Sequence, residues 1–166
     1  MRYLRRLGMY VSLSLIGLMH VTRYWLARFR AKGDIQGVRI IIMQDRLVVL
    51  VSHWYAPWVW TLPGGGVEKD ETPEQAAARE AEEETGLKIK SLAGEIGTYT
   101  GSMGKRDKVK VFYTGDFEGN LTLLPSLEIM GRSWFDIDTL PDEISPANRR
   151  RIEAYRAGVR GESGRW

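Results

Sequence analysis

The sequence predicts an α/β domain, and three stretches of it carry that prediction. Residues 38–43 and 47–51 are β-branched runs on either side of Gln44-Asp45-Arg46, the pattern of a buried hairpin. Residues 73–85 read as a helix with both ends specified: Thr72 as N-cap, Pro73 in the first turn, Gln75 to close a capping box and Gly86 as the stop. Two further strand-like runs, residues 89–96 and 109–117, follow that helix, so strands and helix alternate along the chain.

Length and composition narrow the class further. The chain has 166 residues, enough for one domain, with 43% hydrophobic and 27% charged residues. It has no Cys, which removes disulfides, thiolate zinc sites and thiol catalysis. Two His, His20 and His53, argue against a multi-His metal site or a Ser-His-Asp centre. A metal here would be a hard cation on oxygen ligands. The net charge of +3 is uneven: residues 1–32 carry seven basic and no acidic residues, leaving 17 basic and 21 acidic residues for the rest. The body of the chain is therefore acidic, and no nucleic-acid partner is expected.

The elements follow in order. Residues 1–32 form an apolar, basic segment predicted as a helix, with Leu4, Leu7, Val11, Leu15, Leu18, Trp25 and Phe29 on one face. Its apolar run, residues 9–21, is shorter than the roughly 20 residues that span a bilayer. Three readings stay open for it: a membrane-surface contact through residues 1–30, a helix packed on its own domain or on a second copy in a homodimer, or a cleaved signal. Lys32-Gly33-Asp34 is a turn and linker. After the hairpin come Trp54, Tyr55, Trp58 and Trp60, then a loop at Leu62-Pro63-Gly64-Gly65-Gly66. His53 reads as a surface or strand-end residue and Trp60 as core. Beyond the capped helix, the strand-like runs at 89–96 and 109–117 flank a basic loop, residues 100–108. A short strand at 134–137 precedes a turn at Leu140-Pro141, and Pro146 opens a second helix containing Arg150, Ile152 and Tyr155. Residues 158–166 read as a loose C-terminal tail.

The capped helix carries the chemistry. With about 100° per residue, Glu83 and Glu84 fall on either side of Glu80, while Glu82 points away to solvent. Like charges on one face repel. Arg79 alone cannot balance three carboxylates, whereas a divalent cation such as Mg²⁺ or Mn²⁺ would. Ala76, Ala77, Ala78 and Ala81 keep the helix slim enough to pack closely, and the upstream glycines let backbone approach a metal or phosphate.

These residues resemble the Nudix family. Gly65, Glu71 and the run Arg79-Glu80-Ala81-Glu82-Glu83-Glu84-Thr85-Gly86-Leu87 fill every specified position of the Nudix box, G-x5-E-x7-R-E-U-x-E-E-x-G-U, where U is apolar. A chance match of that length is on the order of one in a million. The resemblance covers residues 37–157 as the catalytic domain, with Trp60–Gly65 like the segment before the box and Trp134-Phe135 with Leu140-Pro141 like the family's C-terminal portion.

The resemblance implies an α/β/α sandwich with a mixed central sheet. It implies Mg²⁺- or Mn²⁺-dependent hydrolysis of a nucleoside diphosphate linked to a further group, or of another small diphosphate. It makes Glu80, Glu83 and Glu84 metal-binding and catalytic carboxylates, with the Gly65 carbonyl and Glu128 completing the site. Arg79 would pair with a box carboxylate and Glu71 would brace the loop–helix junction. Gly131 stands where many relatives carry a second Glu. Either Glu80 or Glu128 would be the proton acceptor. Lys105 and Arg106 are candidates to bind substrate phosphates, and Tyr55 and Trp58 to stack on a base. Met103, Gly104 and Lys105 stand where some subgroups carry a diagnostic proline or tyrosine, so no substrate subgroup is marked. The rival to hydrolysis is a non-catalytic Nudix domain that senses a nucleotide or is recruited to a membrane. Cytoplasm is the expected location, with a peripheral place at the membrane through residues 1–30 as the alternative.

Overall fold

The structure is a computed structural model that describes residues 35–101, 107–122 and 128–166. The predicted N-terminal helix, with its membrane and dimer readings, lies outside the described residues, as do Lys105 and Arg106. Among the described residues no helix is long and apolar enough to cross a membrane.

The predicted hairpin forms from β1 (Ile35–Gln44) and β2 (Leu47–His53), joined through Asp45 in the left-handed region, φ 53°. The two strands pair only at the turn, Met43 with Val48 and Gln44 with Leu47, and then part. β1 continues in parallel with β6 (Lys108–Thr114). β2 pairs antiparallel with β3 (Ala56–Thr61) and with β8 (Ile129–Asp136). Next to β6 lies β5 (Gly94–Thr100), antiparallel, and beyond it β9 (Glu162–Arg165), parallel to β5. The order β3-β2-β1-β6-β5-β9, with β8 on β2, makes one mixed sheet. A separate ribbon pairs β4 (Lys88–Ser91) with β7 (Asp116–Glu118).

The strands alternate their apolar side chains between two faces, and a helix covers each. Val38, Ile40, Ile42, Val49 and Phe112 pack with Ala76, Ala77 and Ala81 of α1 (Pro73–Thr85). Ile41, Met43, Val48, Leu50 and Val111 pack with Tyr99 and with Ile152 of α2 (Pro146–Arg156). The result is the α/β/α sandwich with a mixed central sheet that the resemblance implied. Trp60 packs edge-on against Phe135 beside the second of these cores, with ring centroids 4.8 Å apart.

Three expectations are corrected. The run 89–96 is not one strand: it breaks at Leu92-Ala93, where the Ala93 N–H turns to the Tyr113 carbonyl, so β4 and β5 join different sheets. The run 109–117 breaks likewise at Gly115, between β6 and β7. The C-terminal tail is not loose: its Glu162–Arg165 segment is β9, seated on β5.

Candidate active site

The site forms where β1 and β2 part. The loop after β3 fills the gap: the Ile40 N–H donates to the Pro63 carbonyl at 3.0 Å and the Val38 N–H to the Gly65 carbonyl at 2.9 Å. Two glycines make this fit. Gly64 has φ 144°, and a Cβ there would lie 2.2 Å from the Val38 carbonyl oxygen. A Cβ on Gly65 would lie 2.4 Å from Glu80 Oε1, so the missing side chain is the space the Glu80 carboxyl occupies.

The helix below this loop is fixed by its predicted caps. Thr72 accepts from the Gln75 N–H at 3.2 Å, Gln75 accepts from the Thr72 N–H at 2.9 Å, and Gly86 closes the helix at φ 81°. Arg79 ties helix to loop. Its Nε and Nη2 donate to the two oxygens of Glu71 at 2.9 and 3.1 Å, and Nη2 also to the Gly66 carbonyl at 3.0 Å. Nη1 donates to Glu80 Oε1 at 2.8 Å and to Glu83 Oε2 at 3.4 Å. Burial opposes ionisation of Glu71, but the Arg79 hydrogen bonds and the Glu68 N–H outweigh it and hold the carboxyl below its ordinary value.

The three box carboxylates share an end of α1 but not an environment. Glu80 is part-buried, and burial, with the nearby charge of Glu84, pushes its carboxyl up to about 7 against the pull of Arg79. Glu83 is 52% exposed. Glu84 is buried: its Oε1 meets His53 Nε2 at 2.9 Å, and its Oε2 accepts the Gly64 N–H at 2.9 Å. Arg132 Nε donates to the Glu84 main-chain carbonyl. Glu82 is exposed, as the helical angles require.

The other candidates divide. Glu128 comes to the same end of β2, where its carbonyl accepts the Trp54 N–H at 3.2 Å. Tyr55 sits beside them, 60% exposed, with its ring 4.9 Å from that of His53. Burial pushes the Tyr55 hydroxyl pKa up, with the charge of Arg39 opposing and those of Glu84 and Glu128 adding to the rise. Trp58 is 77% exposed on β3, and among the described residues nothing ties it to the acidic centre. A Cβ at Gly131 would lie 2.8 Å from Ser52 Oγ and 3.3 Å from Trp60, so a glutamate side chain there would start against those two residues.

Sequence reasoning missed His53 and Arg132. His53 does end its strand, but it is buried and engaged, not a surface residue. The available signal was a lone imidazole closing a β-branched run just ahead of the glycine loop.

Among the described residues no three acidic or imidazole side chains converge closely enough to hold a metal ion. Arg79 holds Glu80 and Glu83, and His53 with Gly64 holds Glu84. The donor chemistry nonetheless suits a hard divalent cation. The ligands are oxygens, the negative charge exceeds what Arg79 offsets, and the half-exposed Glu83 is held by a single 3.4 Å contact that can be exchanged. The Gly65 carbonyl, with one lone pair on Val38, keeps a second.

A glycine loop braced by an arginine onto a helix rich in carboxylates, set on a mixed sheet, is the arrangement of a Nudix domain, and the comparisons agree. The chain belongs to the NUDIX domain family, whose model matches residues 34–155, and it is a Nudix hydrolase. An RNA pyrophosphohydrolase of Rhodospirillum rubrum is 34% identical over 145 residues, covering 76% of this chain and 87% of that protein. The crystal structure of a MutT NUDIX hydrolase from Burkholderia pseudomallei superposes with a TM-score of 0.62 at 27% identity, over 71% of this chain and 95% of that one. A NUDIX hydrolase from Nitrosomonas europaea shares the fold, with a TM-score of 0.65 at 24% identity over 78% and 77% of the two chains.

Proposed function

We propose that residues 37–157 form a catalytic domain that hydrolyses a phosphoanhydride bond in a nucleoside diphosphate linked to a further group, using Mg²⁺ or Mn²⁺. The observation that supports this most is the intact carboxylate set, Glu80, Glu83 and Glu84, gathered at one helix end around Arg79 and the Gly64-Gly65 loop. A sensor that only bound nucleotide would have no need of it.

Glu83, Glu84, Glu128 and the Gly65 carbonyl would hold the cation, which when bound neutralises phosphate charge and acidifies a water. Glu80 would take the proton from the attacking water. Its carboxyl is part-buried against the Gly65 main chain and held at Oε1 by Arg79 Nη1 at 2.8 Å, which fixes where it can meet a water. Arg79 keeps Glu80 aimed and ties the loop to the helix. Tyr55, exposed beside this centre, would stack on the base or other flat group of the substrate, with Trp58 and the segment of Lys105 and Arg106 as further contacts. The proposed site of action is the cytoplasm, with residues 1–30 as a peripheral contact to a membrane surface or a second copy.

The test is product release from nucleoside triphosphates, ADP-ribose, nucleotide sugars and dinucleoside polyphosphates, with each metal and with chelator. One substrate cleaved far faster than the rest, and silenced by chelator, is the expected result. Nucleotide binding without turnover across the panel would overturn hydrolysis and support a sensor. Co-sedimentation with anionic vesicles, with and without residues 1–30, tests the membrane contact.

A further inference from the structure

Glu83 and Glu84 are adjacent in sequence and opposite in restraint. Glu83 is 52% exposed and meets Arg79 at 3.4 Å. Glu84 is held at both carboxylate oxygens and at its own carbonyl, by His53, Gly64 and Arg132 in turn. A carboxylate oxygen only accepts, so Nε2 of His53 carries the hydrogen that joins them. Both side chains are nearly sealed, with exposures of 7% for His53 and 6% for Glu84. Two polar groups so deep in the fold are costly unless matched to each other.

The Tyr55 ring lies beside the imidazole, with centroids 4.9 Å apart and planes tilted by 30°. His53 thus stands between the exposed Tyr55 and a carboxylate that the proposed reaction needs at a metal.

We infer that His53 is a positioning residue that, with the Gly64 N–H, presets the Glu84 carboxylate for a divalent cation, leaving Glu83 as the arm that closes on it. This rests on the metal-dependent reading above. Donors behind a ligating side chain orient it, and their removal typically weakens metal affinity about 10- to 100-fold.

The experiment is Mn²⁺ titration of the full chain without substrate, with free Mn²⁺ followed by electron paramagnetic resonance. His53→Ala is expected to weaken binding by about 10- to 100-fold, and His53→Gln, whose amide can donate to the same oxygen, by clearly less. Wild-type affinity in a folded His53→Ala variant overturns the inference, and so does an equal loss in both variants. If the wild-type chain itself takes up no Mn²⁺, the metal-dependent reading fails and this inference falls with it. The wild-type chain gives a second readout that no folding defect can confuse. It has only two histidines, so His20→Gln assigns the His53 ring nitrogens in ¹⁵N spectra. Mg²⁺ is expected to shift the His53 Nε2 resonance, and an unmoved resonance at saturating Mg²⁺ overturns the inference.

Discussion

Arg79 grips both oxygens of Glu71, Nε to Oε1 at 2.9 Å and Nη2 to Oε2 at 3.1 Å, eight residues upstream and across the start of the helix. This fork-to-fork pair is geometrically strong. It leaves Nη1 free to reach Glu80 and Glu83, so one guanidinium fixes the loop, the helix and two of the box carboxylates together.

Arg79→Ala should therefore cost stability before it costs substrate affinity. The variant leaves Glu71 and Glu80 part-buried without their cation, a loss of about 2–4 kcal/mol. Urea unfolding should show a lower midpoint, and Mn²⁺ affinity should fall more than nucleotide affinity. An unchanged midpoint with unchanged metal affinity would remove Arg79 from the bracing role.

The two loop glycines should fail differently. In Gly64→Ala the new methyl meets main chain, 2.2 Å from the Val38 carbonyl oxygen, in a φ of 144° that alanine resists. In Gly65→Ala it meets the end of a side chain, Glu80 Oε1 at 2.4 Å, which can turn aside. Gly64→Ala is expected to fold poorly. Gly65→Ala is expected to melt near wild type while losing at least about tenfold in kcat, the result of a displaced catalytic group. Circular dichroism melts beside turnover assays separate the two.

Local features of this fold were legible in the sequence and long-range ones were not. The cap at Thr72, the stop at Gly86 and the shared face of Glu80, Glu83 and Glu84 depend on residues within one or two helical turns. The contact of His53 with Glu84 spans 31 positions and depends on β2 ending level with the end of α1. The tail misled for the same reason. Gly158, Gly161 and Gly164 suggest looseness, yet Arg151 sits 3.4 Å over the Tyr99 ring, and Trp166 flanks the same ring at 6.2 Å. The close seat of β9 needs Gly97, where a Cβ would lie 2.1 Å from the Glu162 carbonyl oxygen. No local pattern announces that pairing.

Glu83→Gln should separate chemistry from folding most cleanly. The carboxylate is 52% exposed and meets Arg79 at 3.4 Å, so its loss hardly touches the core. Exposed ion pairs contribute at most about 1 kcal/mol. Turnover is expected to fall by at least about two orders of magnitude, as for loss of a metal ligand or its support. The melting temperature should stay within a few degrees. Near-normal turnover would take Glu83 out of the site.

Glu80 makes the metal-free protein sensitive to pH in a direction opposite to most carboxylates. Its folded pKa, about 7, lies above the ordinary 4.5, because burial and Glu84 disfavour its charge. Between those values the folded chain holds a proton that the unfolded chain has released, so stability falls as pH rises through that window. The contribution is on the order of 3 kcal/mol, lost between about pH 4.5 and 7. Glu71, held below its ordinary value, acts in the other direction: its stabilisation is present above about 4.5 and is lost as pH falls further, so the two effects separate on the pH axis. Chelated wild-type protein should be more stable in urea at pH 5.5 than at pH 8, and Glu80→Gln should flatten that slope. Mg²⁺ should stabilise the wild type more at pH 8 than at pH 5.5, since only the ionised carboxyl attracts it. A slope that Glu80→Gln leaves intact would show that another group titrates in the window and that Glu80 is ionised throughout.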